Sequence, residues 1–211
     1  MDGRERAVGG YWAGGMEAGG LGMGLLAAVT AVFCLLILAA RPALAVDVNL
    51  TGRTNLTVAA TNGSYDAART ALAAGDSANS RDGEGTPVLV MAAANDHLDI
   101  VTLLLDRGAL ISLTDQYGNT ALATAAARGY ADVVAYLLHH GAAVEALNKS
   151  GETPLIQAAR LGNAAVVKLL LAAGANASTS DYTGHTAIDY AKQSRHPDIV
   201  RLLTAGAPVH H

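Results

Sequence analysis

The sequence holds a single cysteine, Cys34, in an apolar stretch near the N terminus. With none beyond it there is no disulfide framework and no thiolate metal site. The chain therefore tolerates an oxidising compartment without depending on one. Aromatic residues are scarce too, at 4% against 51% apolar. Much of that apolar share is alanine, which favours close helix–helix packing over a bulky aromatic core. Lysine and arginine never cluster and the net charge is −4. A protein that draws affinity from phosphate contacts needs such clusters, so nucleic acid is not an expected partner. The pairs Gly9-Gly10, Gly14-Gly15 and Gly19-Gly20 follow no strand pattern and do not make a phosphate-binding loop. The length of 211 residues suits one compact domain or one short repeat array.

Residues 21–40, LGMGLLAAVTAVFCLLILAA, form a run without a charge. Arg41 and Pro42 follow, then Ala43-Leu44-Ala45 and an abrupt change to polar sequence after Val46. Small residues at the first and third positions before a break suit a signal peptidase, with cleavage between Ala45 and Val46. Proline just upstream keeps that stretch out of a helix. The same run is long enough to cross a bilayer uncleaved, as a membrane anchor. Met16 and Met23 offer later starts that shorten the leader. Either reading exports the remainder. The segments expected are a signal peptide or anchor over 1–45 and a folded domain over 46–211.

Beyond the leader the sequence repeats. Gly52, Gly85, Gly118, Gly151 and Gly184 recur at one spacing, as do Ala59, Ala92, Ala125, Ala158 and Ala191. A third column holds Leu56, Leu89, Leu122, Leu155 and Ile188. The units open at Asn49, Asp82, Asp115, Asn148 and Asp181, giving repeats 49–81, 82–114, 115–147, 148–180 and 181–211. Asp or Asn at the opening holds a tight turn by accepting backbone amides. Glycine three residues later supplies a backbone angle that other residues resist. Thr120, Thr153 and Thr186 are placed to cap a first helix, and Pro154 suits its first turn. After Gly63, Gly129 or Gly162 the chain reverses into a second helix. There Ile100-Val101, Val133-Val134, Val166-Val167 and Ile199-Val200 stand one turn before Leu104, Leu137, Leu170 and Leu203, marking one buried face. Asp66, Asp99, Asp132 and Asp198 meet the positive end of these helices. Gly75, Gly108, Gly141 and Gly174 close them with a left-handed cap.

The copy from Asn148, NKSGETPLIQAARLGNAAVVKLLLAAGANASTS, carries Thr153-Pro154-Leu155 near its start and Gly174-Ala175 near its end. On these residues the array from Asn49 to about Val209 resembles the ankyrin repeat. The fold this implies is an all-α ankyrin-repeat solenoid of five helix-turn-helix repeats joined by β-turn loops, behind a hydrophobic signal helix. Three departures stand out. Pro87 takes the threonine slot of the second repeat. The family's histidine after the conserved leucine is replaced by Thr57, Val90, Ala123, Ile156 and Asp189, which implies a lost hydrogen bond between neighbouring units. Weak copies lie at both ends, with Ala67, Ala68 and Ala71 in the first and Thr204 and an early Gly206 in the last, as terminal caps require.

The resemblance implies protein binding through the turn tips and the inner helix surface. Transferred by column, the binding residues are Glu84, Thr86 and Asn95 in the second repeat and Gln116, Tyr117, Asn119 and Arg128 in the third. The fourth supplies Lys149, Ser150, Glu152 and Arg160, and the fifth Tyr182, Thr183, His185 and Gln193. Tyr117 and Tyr182 matter most, since exposed tyrosine beside arginine suits an interface anchor. Catalysis finds no support. Ser150, His185 and Asp181 come near one another across adjacent turns, but no nucleophile turn or oxyanion donors accompany them. His139-His140 at a helix end are expected to diverge, and His97 and His196 share a turn column. No metal or other cofactor is expected. The function expected is an exported, monomeric protein-binding module, periplasmic or secreted, with a partner of unknown identity. The alternatives are a scaffold on an uncleaved inner-membrane anchor and a secreted effector acting on a host protein.

Overall fold

A computed structural model describes residues 54–205. The chain divides into two units, Met1–Ala45 and Val46–His211, and every described residue belongs to the second. The expected leader and cleavage site, with Gly52, Gly206 and His210-His211, lie outside the described residues.

Five pairs of short antiparallel helices make up the described array. The first helices are α1 (Asn55–Asn62), α3 (Val88–Ala94), α5 (Ala121–Arg128), α7 (Pro154–Arg160) and α9 (Ala187–Gln193). The second helices are α2 (Tyr65–Ala73), α4 (Leu98–Asp106), α6 (Ala131–His139), α8 (Ala164–Ala172) and α10 (Pro197–Ala205). Each first helix packs on the first helices of its neighbours, and each second helix does the same in a parallel layer. No strand occurs among the described residues. Isolated antiparallel bridges, Arg81 to Pro87, Thr114 to Thr120 and Ser180 to Thr186, pinch the connecting turns into small hairpins.

Helices this short are marginal alone, so caps and burial decide where they lie. Thr54, Thr120, Thr153 and Thr186 each accept the amide three residues on. Pro87 caps α3 without a side-chain bond, as its place in the threonine column requires. The reversal after the first helix needs a left-handed residue. Asp96 (φ 59°) and Arg195 (φ 61°) fill the column otherwise held by Gly63, Gly129 and Gly162.

Burial gives each apolar column a direction. Ile100, Val133, Val166 and Ile199 are fully buried, whereas Ala67 in the same column of the first repeat is exposed. Val101, Val134 and Val167 are buried while Val200 of the last repeat is half-buried. The first column thus faces the preceding repeat and the second the following one. The alanine column (Ala59, Ala92, Ala125, Ala158 and Ala191) is buried throughout, which lets successive first helices approach closely. In the missing-histidine column, Val90, Ala123 and Ile156 are buried apolar contacts, and Asp189 instead completes a capping box with Thr186.

Candidate functional site

Each turn leads directly into a first helix, and the corner formed by the turns and these helices is the surface that the sequence singles out. At each turn one side-chain oxygen does most of the work. Asp115 Oδ1 accepts the amides of Tyr117 and Asn119, Asn148 Oδ1 those of Ser150 and Glu152, and Asp181 Oδ1 those of Thr183 and His185, all at 2.8–3.0 Å. Asp82 serves Glu84 and Thr86 in the same way. Neighbouring turns are tied together by backbone bonds. Lys149 N donates to Tyr117 O at 2.9 Å and Tyr182 N to Ser150 O at 3.1 Å. These bonds join units in which the family's histidine is absent.

A polar chain runs through the corner across the last three repeats. Asn119 Nδ2 donates to Asp115 Oδ2, and Asn119 Oδ1 accepts from Asn148 Nδ2 and from Gln157 Nε2 at 2.8 Å. Glu152 Oε2 accepts from Asn148, Gln157 and Arg160, and Arg160 Nη2 lies 3.2 Å from Glu152 Oε1. The Arg160 guanidinium stands 5.9 Å from the centre of the Tyr190 ring, and Tyr190 donates its hydroxyl to Asp181 Oδ2 at 2.6 Å. Thr183 donates its hydroxyl to Asp181 Oδ1 at 2.7 Å. That hydroxyl has one proton, so the 2.8 Å contact with His185 Nδ1 requires the ring nitrogen to donate to Thr183.

Burial of Asp181 opposes its ionisation, but the bonds from Tyr190, Thr183 and the His185 amide outweigh it and hold the carboxyl far below the usual range. The hydrogen bond that Tyr190 donates to this carboxylate, together with burial, pushes the phenol upward. The Thr186 hydroxyl and amide hold Asp189 below its ordinary value.

The expected binding residues therefore fall into two sets. Asn119, Glu152 and Arg160, all half-buried, and Thr183 and His185, both exposed, belong to the polar chain and fix the turns. Glu84, Gln116, Tyr117, Arg128, Lys149, Ser150, Tyr182 and Gln193 are exposed. Thr86 and Asn95 are half-buried, with Asn95 Nδ2 bonded to Met91 O at 2.8 Å. Tyr117 is 63% exposed and Tyr182 73%. The Tyr182 ring nevertheless rests on the preceding turn, where a Cβ at Gly151 would meet its Cδ1 at 2.6 Å. Lys149 covers Gly118 in the same manner.

Gln157, Tyr190 and Leu161 are site residues that the sequence reading missed. Gln157 and Tyr190 share a column with Met91 and Thr124 that is buried or half-buried, so polar residues at that register were the available signal. Leu161, 52% exposed, shares the Asn95 and Arg128 column, whereas Arg160 and Gln193 belong to the column before it. The helix-end residues thus come from two adjacent columns.

The histidine pairs differ in outcome. The His139 and His140 rings do not diverge as expected. Their centres lie 5.4 Å apart edge to face, and His140 stacks on Tyr136 with Nδ1 2.8 Å from the Tyr136 carbonyl. His97 and His196 take up a packing role at their turns, their rings covering Gly63 and Gly162 of the preceding repeat. Asn163 does the same over Gly129, and its Nδ2 donates to Ala126 O and Ala127 O. Thr183, not Ser150, is the hydroxyl bonded to His185.

The sequence profile for ankyrin repeats (three copies) matches residues 56–148 and again 143–211. No curated protein matches the chain. Ankyrin arrays are in general protein–protein interaction modules and typically non-enzymatic. Over the repeats that build both the helix layers and this corner, the chain belongs to the ankyrin-repeat family.

Proposed function

We propose that this chain is an exported, monomeric module that binds a protein partner in the corner between its turns and its first helices. The observation that carries the reading is the mounting of Tyr117 and Tyr182. Both rings are open to solvent, yet their backbones are fixed by aspartate-held turns and by bonds between turns. A backbone held this way loses little freedom on binding, so less of the contact energy of the tyrosine it carries is spent on ordering the turn. Export rests on the charge-free run over 21–40 and on Ala43-Leu44-Ala45 before Val46. The partner meets the protein in the periplasm or outside the cell.

The test is affinity capture with the chain as bait, beside a control in which Tyr117 and Arg128 are both changed to Ala. Circular dichroism first establishes that the control folds. Retention of one protein by the first bait and its loss from the second supports the reading. Equal retention by both, or none by either, sinks it. A scaffold on an uncleaved anchor is the second reading, favoured by the bilayer-spanning length of residues 21–40. The mass of the mature chain separates the two, since a start at Val46 removes the anchor.

A further inference from the structure

Five of the nine asparagines open an Asn-x-Ser/Thr motif: Asn49-Leu50-Thr51, Asn55-Leu56-Thr57, Asn62-Gly63-Ser64, Asn148-Lys149-Ser150 and Asn176-Ala177-Ser178. A hydroxyl two residues beyond the asparagine makes its amide an acceptor for N-linked sugar in an exported chain. Asn49 lies outside the described residues, and the fold separates the other four. Asn148 is closed. It is 8% exposed, its Nδ2 donates to Asn119 Oδ1 and Glu152 Oε2, and its Oδ1 accepts the amides of Ser150 and Glu152. A sugar on that Nδ2 displaces one of its bonds and must enter buried space. Asn55 is exposed, but Thr57 is fully buried, with its hydroxyl donating to Thr54 O at 2.9 Å. Both lie in α1, where residues two apart do not face the same side, so amide and hydroxyl cannot enter one active site together. Asn62 and Asn176 are open. Asn62 ends α1 with its side chain exposed, and Gly63 (φ 75°) turns the chain to place Ser64 before α2. A serine there ordinarily caps the helix, yet the exposed Ser64 hydroxyl makes no capping bond and remains available. Asn176 and Ser178 are both exposed, and Asn176 Oδ1 accepts the Ser178 amide at 3.0 Å, which folds the motif into a turn. The backbone amide of Asn176 donates to Glu145 Oε1 at 2.9 Å, so a sugar on Nδ2 leaves both bonds intact.

We propose that the folded chain carries N-linked oligosaccharides at Asn62 and Asn176 and none at Asn148. The donor is an oligosaccharide held on a polyprenyl diphosphate. Nδ2 bonds to C1 of the sugar, the bond from C1 to the diphosphate oxygen breaks, the lipid diphosphate leaves, and Nδ2 gives up one proton. No electrons are transferred. The step takes place beyond the membrane that the chain crosses, so it rests on the export proposed above and is independent of the binding corner. Neither motif contains a residue assigned to partner binding.

The test is peptide mass spectrometry on the full chain purified from the cells that make it, after treatment with a glycan-releasing amidase in heavy-oxygen water. The amidase turns each sugar-bearing Asn into Asp labelled with heavy oxygen. Comparison with an untreated sample in the same water removes spontaneous deamidation at Asn62-Gly63. The expected result is label at Asn62 and Asn176 and none at Asn148. Ser64→Ala and Ser178→Ala should each abolish label at their own site, whereas Ser64→Thr and Ser178→Thr should keep it. An unlabelled Asn62 or Asn176 in a chain that begins at Val46 overturns that site and leaves export standing. Unlabelled sites in a chain found only in the cytosol overturn both the glycan and export. Label at Asn148 in the folded chain overturns the separation of open from closed motifs, and label that survives both alanine variants overturns the role of the hydroxyls.

Discussion

Replacing Gly118 with alanine imposes two costs, and two other glycines of the same column separate them. Gly118, Gly151 and Gly184 have φ of 83°, 78° and 84°, so a Cβ at any of them meets the same backbone penalty of roughly 1–2 kcal/mol. Alanine also restricts the unfolded chain, which returns about 0.4–1 kcal/mol. At Gly184 nothing lies within 4 Å of the new Cβ. Gly184→Ala should therefore lose only about 1 kcal/mol. At Gly151 the Cβ strikes the Tyr182 ring, which is exposed and free to swing away at the expense of its packing. At Gly118 the obstacle is backbone. Lys149 N lies 2.9 Å from the new Cβ, and that same nitrogen donates the bond to Tyr117 O that ties the third turn to the fourth. Moving it loses a hydrogen bond worth about 1 kcal/mol and leaves strain in addition. The total for Gly118→Ala is then roughly 2–4 kcal/mol. Urea unfolding measures all three, with midpoints compared at a common slope. The expected order is Gly118 worst, Gly151 between, and Gly184 mildest. Equal losses at Gly118 and Gly184 would refute the coupling between turns, and a larger loss at Gly151 than at Gly118 would mean that the Tyr182 ring is not free to move.

Leu137 has no exposed surface, and Leu137→Ala should cost roughly 2–5 kcal/mol by the same assay, with a loss well under 1 kcal/mol contradicting the helix register. Asp181 and Asp189 have lowered folded pKa values, so the unfolded chain takes up the proton first as pH falls. Their stabilisation is complete at neutral pH and declines below about pH 4. Tyr190 is raised, so its stabilisation is complete at neutral pH and declines above about pH 10. Tyr190→Phe should therefore flatten both flanks of a plot of melting temperature against pH, and unchanged flanks would remove the Tyr190–Asp181 bond from the account. Hydrogen exchange should be slowest in α3 to α8, whose repeats pack on both sides, and fastest in the first and last repeats. Uniform exchange along the array would contradict that expectation.

The helix register and the caps were legible in the sequence because each depends on a single column. Threonine before the first helix, glycine after the second and the paired aliphatics of the second helix have local causes. Pro87 could be read as a defective cap for the same reason. The polar chain was not legible, because it depends on which side chains meet across neighbouring repeats. Glu152 and Arg160 stand eight positions apart in sequence, and Gln157 bonds an asparagine in the preceding repeat. A column alone therefore named Asn119, Glu152, Arg160, Thr183 and His185 for their place on the turns and helix ends, without showing that they also bond one another and their neighbours. The packing of His97, Asn163 and His196 over glycines was hidden similarly, since histidine and asparagine share that slot.

The claim that the turn-side corner binds a protein is tested most directly by photo-crosslinking in the cells that make the chain. A photoreactive phenylalanine analogue replaces Tyr117 or Tyr182 on the turns, or Lys168, exposed on the second-helix layer. The account predicts that Tyr117 and Tyr182 positions trap the same protein while the Lys168 position traps none. A crosslink from Lys168 alone, or equal crosslinks from all three positions, would contradict it.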